Sequence, residues 1–450
     1  MSDFFDKKSI FILFVLFFLF VLSGCSTHEG KKIRIVLITI DALRYDALMG
    51  LDDEETTDMP LTLALAQKGM IYTKFFSSAS TTQPSFATML TDLQPWEHGV
   101  TRNGQVLDKK HVRLAEILRK HGYSTHAVVA SFPLKPEMGF AQGFDEFSAD
   151  FTERFAKNNK AEGQYALSDT VYTKMLGQLK HAEGDKQFFW FHFFDAHAPY
   201  GDADGKQHGM ILKQPFTKAV EAGMSTSKLR AMVDKAHRLY NKDARYLDTI
   251  IKKLITYANS QSDQYETHII FVADHGESFG EDGSIVHGNR LTPWEIHVPC
   301  FILSPKIGRG MDNNLAGGID MTPTVLDMAG IKHNLTGGRS LLEAPKKEYA
   351  IWGMRQTFPR PFKEPRLDGT FHILYGNKYY MMSSDGGIFI GNSKSISTTG
   401  SSSSLIHQKQ NIIKANQMFT IFEEKVKGLR TVTLKDKKTL SALKTLGYAH

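Results

Sequence analysis

Ile33-Arg34-Ile35-Val36-Leu37-Ile38-Thr39-Ile40-Asp41 is the stretch that decides the fold. It is β-branched and nearly all apolar, with no polar alternation. A strand of that kind is buried on both faces, as interior strands of parallel sheets are. It ends in an aspartate, at the carboxyl end where open α/β sheets bind ligands. The pattern recurs down the chain. Phe188–Phe194 is an apolar strand leading into Asp195 and His197. His268–Ala273 leads into Asp274 and His275, with His287 in the next loop. Thr125–Ala130 and Cys300–Leu303 are further strands. Helices are predicted over Leu61–Lys68, Ser85–Leu90, Val112–His121, Ala166–His181, Lys228–Tyr257 and Thr322–Ala329. Strands alternating with helices imply an α/β architecture, a mainly parallel sheet covered on both faces.

Composition narrows the function. Of 450 residues, 42% are hydrophobic and 23% charged, which excludes wholesale disorder. The net charge of +6 is spread along the chain, so there is no nucleic-acid footprint. The 2 cysteines, Cys25 and Cys300, exclude a disulfide scaffold and a structural zinc knuckle. After about Glu348 the pattern changes. Phe371–Tyr375 and Lys378–Met382, split by Gly376-Asn377, read as a hairpin. Ser393–Ser404 reads as a serine-rich loop. This tail is expected to form a smaller C-terminal α+β subdomain over residues 348–450, beside a catalytic domain over 33–347.

Residues 1–24 stand apart. The apolar run Ile10–Leu22 is shorter than the roughly 20 residues a membrane-spanning helix needs, and it suits a signal-peptide core. Lys7 and Lys8 precede it, and Leu22-Ser23-Gly24-Cys25 follows. That close resembles the bacterial lipoprotein lipobox, which implies cleavage before Cys25 and lipidation of its thiol. Residues 25–32 would then be a tether. The body would be lipid-anchored in a bacterial cell envelope, facing the periplasm or the exterior. The alternative is an uncleaved apolar anchor.

Carboxylates and imidazoles converging on one rim of a sheet can bind a divalent transition metal. Each has a plainer local reading: Asp41 can cap a helix, and His192, inside an apolar strand, reads as a satisfied core histidine. Several such residues at successive strand ends outweigh those readings. Thr82, in Thr81-Thr82-Gln83-Pro84-Ser85, sits at a helix entrance, where free N–H groups favour an anion. A metal beside it would turn its hydroxyl into a nucleophile. The competing reading is a helix cap.

Taken in order, the motifs resemble those of the sulfatase family within the alkaline phosphatase superfamily. They are Ile40-Asp41-Ala42-Leu43-Arg44-Tyr45-Asp46, then Thr82-Gln83-Pro84-Ser85, Met89-Leu90-Thr91-Asp92, His98-Gly99-Val100 and Asn103-Gly104. Gly122-Tyr123-Ser124-Thr125, Gly143-Phe144-Asp145, Asp195-Ala196-His197-Ala198-Pro199-Tyr200, Asp274-His275-Gly276, His287-Gly288 and Val298-Pro299 continue the series. Asp320-Met321-Thr322-Pro323-Thr324, Gly338-Arg339-Ser340-Leu341-Leu342 and Leu443-Lys444-Thr445-Leu446-Gly447-Tyr448 close it. The resemblance implies an alkaline-phosphatase-like three-layer α/β/α fold and a metal-dependent ester hydrolase. It implies that Asp41, Thr82, Asp274 and His275 hold the metal. His197 and His287 would contact the transferred group or protonate the leaving oxygen. Asp195, with His197 and His287, could serve a second metal or the substrate, so one or two ions remain open.

The chain also departs from that pattern. Sulfatases convert a Cys or Ser of Cys/Ser-X-Pro-X-Arg to formylglycine. Here Thr82 holds that place and Phe86 replaces the arginine. The family's Lys-X-His pair is missing around Ala130-Ser131-Phe132. His287 stands in place of a sulfate-contacting lysine. His275 stands where many sulfatases carry asparagine, which favours zinc or manganese over calcium. These departures point to phosphoester chemistry on a small molecule, lipid or glycan, with a sulfuric ester kept open. The alternatives are a phosphoethanolamine-type head-group transferase and a non-catalytic binding lipoprotein.

Overall fold

The structure is a computed structural model. It describes residues 31–354 apart from 51–55, 150, 152–164, 206–208, 282–284, 289–290 and 345–349, together with the strands at 371–375, 378–382 and 388–392. Cys25, the leader, most of the tether and the serine-rich loop lie outside the described residues. The tether is expected to run to Lys32, but Lys32 already begins the first strand.

The main sheet has eight strands: β1 (Lys32–Ile40), β2 (Met70–Phe76), β3 (Ser124–Val128), β4 (Glu146–Ser148), β5 (Lys186–Phe193), β6 (Tyr265–Ala273), β9 (Cys300–Leu303) and β10 (Gly310–Gly317). A two-stranded ribbon, β7 (Ser278–Phe279) with β8 (Ile285–Val286), lies between β6 and β9 in sequence. The spatial order is β10-β2-β9-β6-β1-β5-β3-β4. β1 pairs in parallel with both β5 and β6, so it occupies the sheet interior, and residues 34–40 are buried without alternation. Only β9 runs antiparallel to its neighbours β2 and β6. β2, β4 and β10 are strands the sequence pattern does not announce. Thr73 and Lys74 interrupt β2, β4 has three residues, and the edge strand β10 is largely exposed until Leu315.

Helices pack in two groups and complete the three layers. α1 (Thr82–Thr91), α2 (Leu114–Lys120) and α5 (Met321–Met328) pack on one another. α3 (Ser168–His181) packs on the long α4 (Thr226–Ser260). The buried face of α4 falls at helical spacing: Val233, Ala236, Tyr240, Ala244, Leu247 and Ile251. Its Tyr240 hydroxyl accepts from Arg44 N–H (2.8 Å) and donates to Ala42 O (3.1 Å), clamping the turn that follows Asp41. Beyond the main sheet, β11 (Ala350–Met354), β12 (Phe371–Tyr375), β13 (Lys378–Met382) and β14 (Ile388–Asn392) form an antiparallel sheet in sequence order, and β12–β13 is the expected hairpin. Among the described residues no helix is long and apolar enough to cross a membrane.

Candidate active site and metal centre

The parallel pairing of β1 with β6 puts Asp41 and Asp274 side by side, one residue past paired Ile40 and Ala273. Ala42 then turns sharply with φ 56°, a left-handed conformation unusual for a residue with a Cβ. The turn lets Ala42 N–H donate to Asp274 Oδ1 (3.1 Å), which also accepts from His275 N–H (2.7 Å). With Oδ1 so engaged, Asp274 Oδ2 is directed elsewhere. Gly276 is required next: a Cβ there would lie 2.1 Å from Trp294 O.

Asp41, Asp274 and His275 are fully buried, and one ligand atom from each lies within 4.8 Å of the others. His275 Nε2 is 3.4 Å from Asp41 Oδ1 and 3.5 Å from Asp274 Oδ2. His275 Nδ1 donates to Gly276 O (2.9 Å), a group that can only accept. In the neutral ring Nε2 therefore presents a lone pair. Asp41 Oδ1, Asp274 Oδ2 and His275 Nε2 have no hydrogen-bond partner among the described residues. Three converging lone pairs in a dry interior repel one another, and a cation satisfies all three. The shifts agree: burial, reinforced for Asp41 by Asp274, raises both carboxyls well above the usual range, and burial holds His275 well below its ordinary value. The residues present thus fit a divalent metal, with two oxygens and one imidazole as donors.

Thr82 opens α1. The helix begins three residues before the predicted Ser85, because proline is tolerated in a first turn whose N–H groups have no helical partner. Thr81 takes the N-cap position, and the Thr82 hydroxyl lies 3.4 Å from Asp41 Oδ2. Asn103 secures this turn, accepting from Gln83 N–H (2.8 Å) and placing Nδ2 3.5 Å from Thr82 Oγ1. Gly288, at φ 77°, seats the His287 loop on the same turn: a Cβ there would stand 2.8 Å from Thr81 Cγ2.

His197 and His287 complete the rim. The ring of His287 lies 4.3 Å from that of His275 and 4.8 Å from that of His197, centroid to centroid. His287 Nδ1 meets Glu277 Oε1 (3.0 Å), and Tyr200 donates to Glu277 Oε2 (2.9 Å). His197 Nδ1 donates to Ala198 O (2.6 Å). Burial pushes Glu277 up to about 8 and His287 down to about 3, and holds His197 well below the usual histidine range.

Four expected ligands, Asp41, Thr82, Asp274 and His275, are thus brought together, with His197 and His287 beside them. Asp195 stands apart from the three-ligand cluster. Its Oδ1 accepts from Ser168 N–H (3.0 Å) at the start of α3, and burial raises its carboxyl to about 7. Asp46 forms a two-pronged ion pair with Arg44 (2.8 and 2.6 Å). Cys300 is a buried free thiol in β9. His192 corrects a sequence expectation. It is not a satisfied core histidine: Nε2 lacks a hydrogen-bond partner among the described residues and lies 3.6 Å from Asp41 Oδ2. The alternation of a buried strand hides this, because both of its faces are apolar.

A mainly parallel sheet carrying a buried aspartate–histidine cluster at its strand ends, beside a helix-entrance hydroxyl, is an α/β fold of the alkaline-phosphatase type with a candidate metal site. Residues 34–331 match the Sulfatase family, and the chain belongs to it. A Caenorhabditis elegans protein named as a homolog of the extracellular sulfatase Sulf-1 is 24% identical over 386 residues, covering 74% of this chain and 52% of that protein. The ulvan-active sulfatase of Formosa agariphila is 26% identical over 330 residues, covering 68% of this chain and 63% of that protein. The chain therefore spans about half to under two thirds of the length of these relatives. Among solved structures, the phosphonate monoester hydrolase of Silicibacter pomeroyi superposes with a TM-score of 0.66 at 17% identity, over 90% of this chain and 99% of that one.

Proposed function

We propose that the chain is an extracytoplasmic, metal-dependent ester hydrolase, held to a membrane through Cys25, that cleaves phosphoesters in preference to sulfuric esters. The observation that carries this reading is the convergence of Asp41 Oδ1, Asp274 Oδ2 and His275 Nε2, with Thr82 Oγ1 3.4 Å from Asp41 Oδ2. These three side chains and the Thr82 hydroxyl would hold the ion. Zinc or manganese suits the imidazole in the donor set better than calcium does. Bound there, a divalent ion supplies Lewis acidity, lowering the pKa of a neighbouring hydroxyl and offsetting charge on a transferred group.

Thr82 Oγ1 passes its proton to Asp41 Oδ2, 3.4 Å away, and forms a bond to phosphorus as the bond to the leaving oxygen breaks in line. The N-terminus of α1 favours the phosphoryl group's negative charge. His197 or His287 gives a proton to the leaving oxygen. Glu277 orients His287 through Nδ1, as a carboxylate orients a catalytic imidazole. An anionic substrate beside these buried rings favours their charged forms and so readies them as acids. Water then hydrolyses the Thr82 ester, with the same histidine returning as base. Threonine cannot become a formylglycine aldehyde, which favours phosphoester over sulfate chemistry.

The test is a panel of aryl phosphate mono- and diesters, phosphonates and sulfates, assayed with zinc and with manganese. Phosphoester turnover should exceed sulfate turnover, and Thr82→Ala should lose about a thousandfold or more. Full activity in Thr82→Ala, or a clear preference for sulfate, refutes the mechanism. Product transferred to an added acceptor rather than to water would establish a head-group transferase instead.

A further inference from the structure

We infer that His192 is a positioning residue for the metal centre, holding Asp41 so that its Oδ1 faces the ion. The inference rests on the metal-site reading above and adds a residue outside the ligand set.

Two histidines approach Asp41, and their hydrogen bonds give them opposite tautomers. His275 Nδ1 donates to Gly276 O (2.9 Å), so its Nε2 offers a lone pair. His192 Nδ1 instead lies 3.2 Å from Ala130 N, a backbone group that can only donate. The Nδ1 lone pair of His192 is therefore occupied. In the neutral ring its proton sits on Nε2, 3.6 Å from Asp41 Oδ2. A nitrogen that carries a proton cannot coordinate a metal, but it can donate to a carboxylate that does. Metal-ligating groups are commonly oriented by such outer partners.

The surroundings fix this ring. His192 is fully buried on β5, paired in register with Thr39 of β1, two residues before Asp41. Phe86 packs edge-on against it, with centroids 5.2 Å apart and planes at 79°. Phe86 lies one helical turn after Thr82, at the place where formylglycine sulfatases carry an arginine. The two oxygens of Asp41 are thus divided. Oδ2 faces the Thr82 hydroxyl at 3.4 Å and His192 Nε2 at 3.6 Å. Oδ1 faces His275 and the metal position. Without His192 Nε2–H, only the Thr82 hydroxyl at 3.4 Å remains beside Oδ2, and Asp41 can more readily rotate to share both oxygens with the ion.

The test uses the full chain stripped with chelator and titrated with Mn²⁺ by calorimetry, in the wild type, His192→Leu and His192→Gln. The leucine keeps bulk without a donor, and the glutamine restores an N–H. Leucine should weaken Mn²⁺ affinity about 10–100-fold, with glutamine recovering most of the loss. The visible spectrum of the Co²⁺-loaded glutamine variant should match the wild type's, because no ligand has changed. Wild-type affinity in the leucine variant overturns the inference. If that variant fails to fold, glutamine decides: a full loss of affinity, or a Co²⁺ spectrum lacking one imidazole, also overturns it. A wild type that takes up no metal overturns the metal-site reading and this inference together, whereas the other outcomes leave that reading standing.

Discussion

Replacing Asp274 by asparagine should move stability in opposite directions with and without metal. In the metal-free protein, Asp41 and Asp274 face each other in a dry interior, with ligand atoms within 4.8 Å. Two full charges at that separation repel by about 3.5 kcal/mol at an effective dielectric of about 20. Both carboxyls are raised well above the ordinary range, burial being the first cause, so proton uptake already relieves part of this. Asparagine keeps an Oδ1 for the N–H groups of Ala42 and His275 and offers Nδ2–H to Asp41 Oδ1 and His275 Nε2. The expected gain is about 1–2 kcal/mol in chelator, or about 1–3 °C in Tm for a chain of this length. The sign of its pH dependence follows from the raised pKa values. A carboxyl whose folded pKa lies above its unfolded value loses stability as pH rises through the folded value. The advantage of Asp274→Asn should therefore be larger at about pH 8 than at about pH 5. With metal the order reverses. An ion at 100 times its Kd stabilises the wild type by about 2.7 kcal/mol, and the variant has lost an anionic ligand and that stabilisation. Differential scanning calorimetry in chelator and in Zn²⁺ or Mn²⁺ reads both effects. A lower Tm of Asp274→Asn in chelator at about pH 8, or a metal shift equal to the wild type's, refutes the account.

Glu277→Gln keeps the shape of the contact to His287 but cannot take on the carboxylate charge that the wild type gains as pH rises through about 8. It should lower kcat about 10–100-fold while KM changes less than about threefold, and unchanged kcat would remove Glu277 from the mechanism. Arg44 is buried against Asp46, Glu281 and Glu277 O, so Arg44→Met should cost about 3–5 kcal/mol in denaturant unfolding. Arg44→Lys should restore little of it, since an ammonium cannot reproduce the two-pronged contact with Asp46. His98 lies within 3.1 Å of both Thr88 Oγ1 and Val100 N, and burial pushes it down to about 3. Its folded pKa is depressed, so its stabilisation is present above about pH 6.5 and is lost towards pH 3, at up to about 1.4 kcal/mol per pH unit. His98→Gln should remove that part of the acid slope in urea midpoints measured across the range, and an unaltered slope would count against it.

The apolar run before Asp41 declared an interior parallel strand, and β1 has that place because it pairs on both sides with parallel neighbours. The candidate ligands Asp41, Asp274 and His275 were legible for the same reason: each follows a strand whose apolar run is unmistakable. The edge strand β10 was not, because a strand exposed along most of its length carries no apolar signal. Nothing linear says that Glu277 and Tyr200 meet one another and His287.

The sequence alone determined the α/β class, the strand ends that carry the candidate site, and a threonine where the family's formylglycine precursor would stand. Those features reside in local pattern and residue type, which a linear chain displays directly. The tertiary structure alone decided which atoms face which. The pairing of β1 with β6 brings two carboxylates together, and the register of β1 with β5 sets His192 against Asp41. A backbone N–H from Ala130 then decides which nitrogen of that ring carries the proton. Tautomer and ligand direction depend on contacts between residues tens to hundreds of positions apart, and only the folded chain makes them.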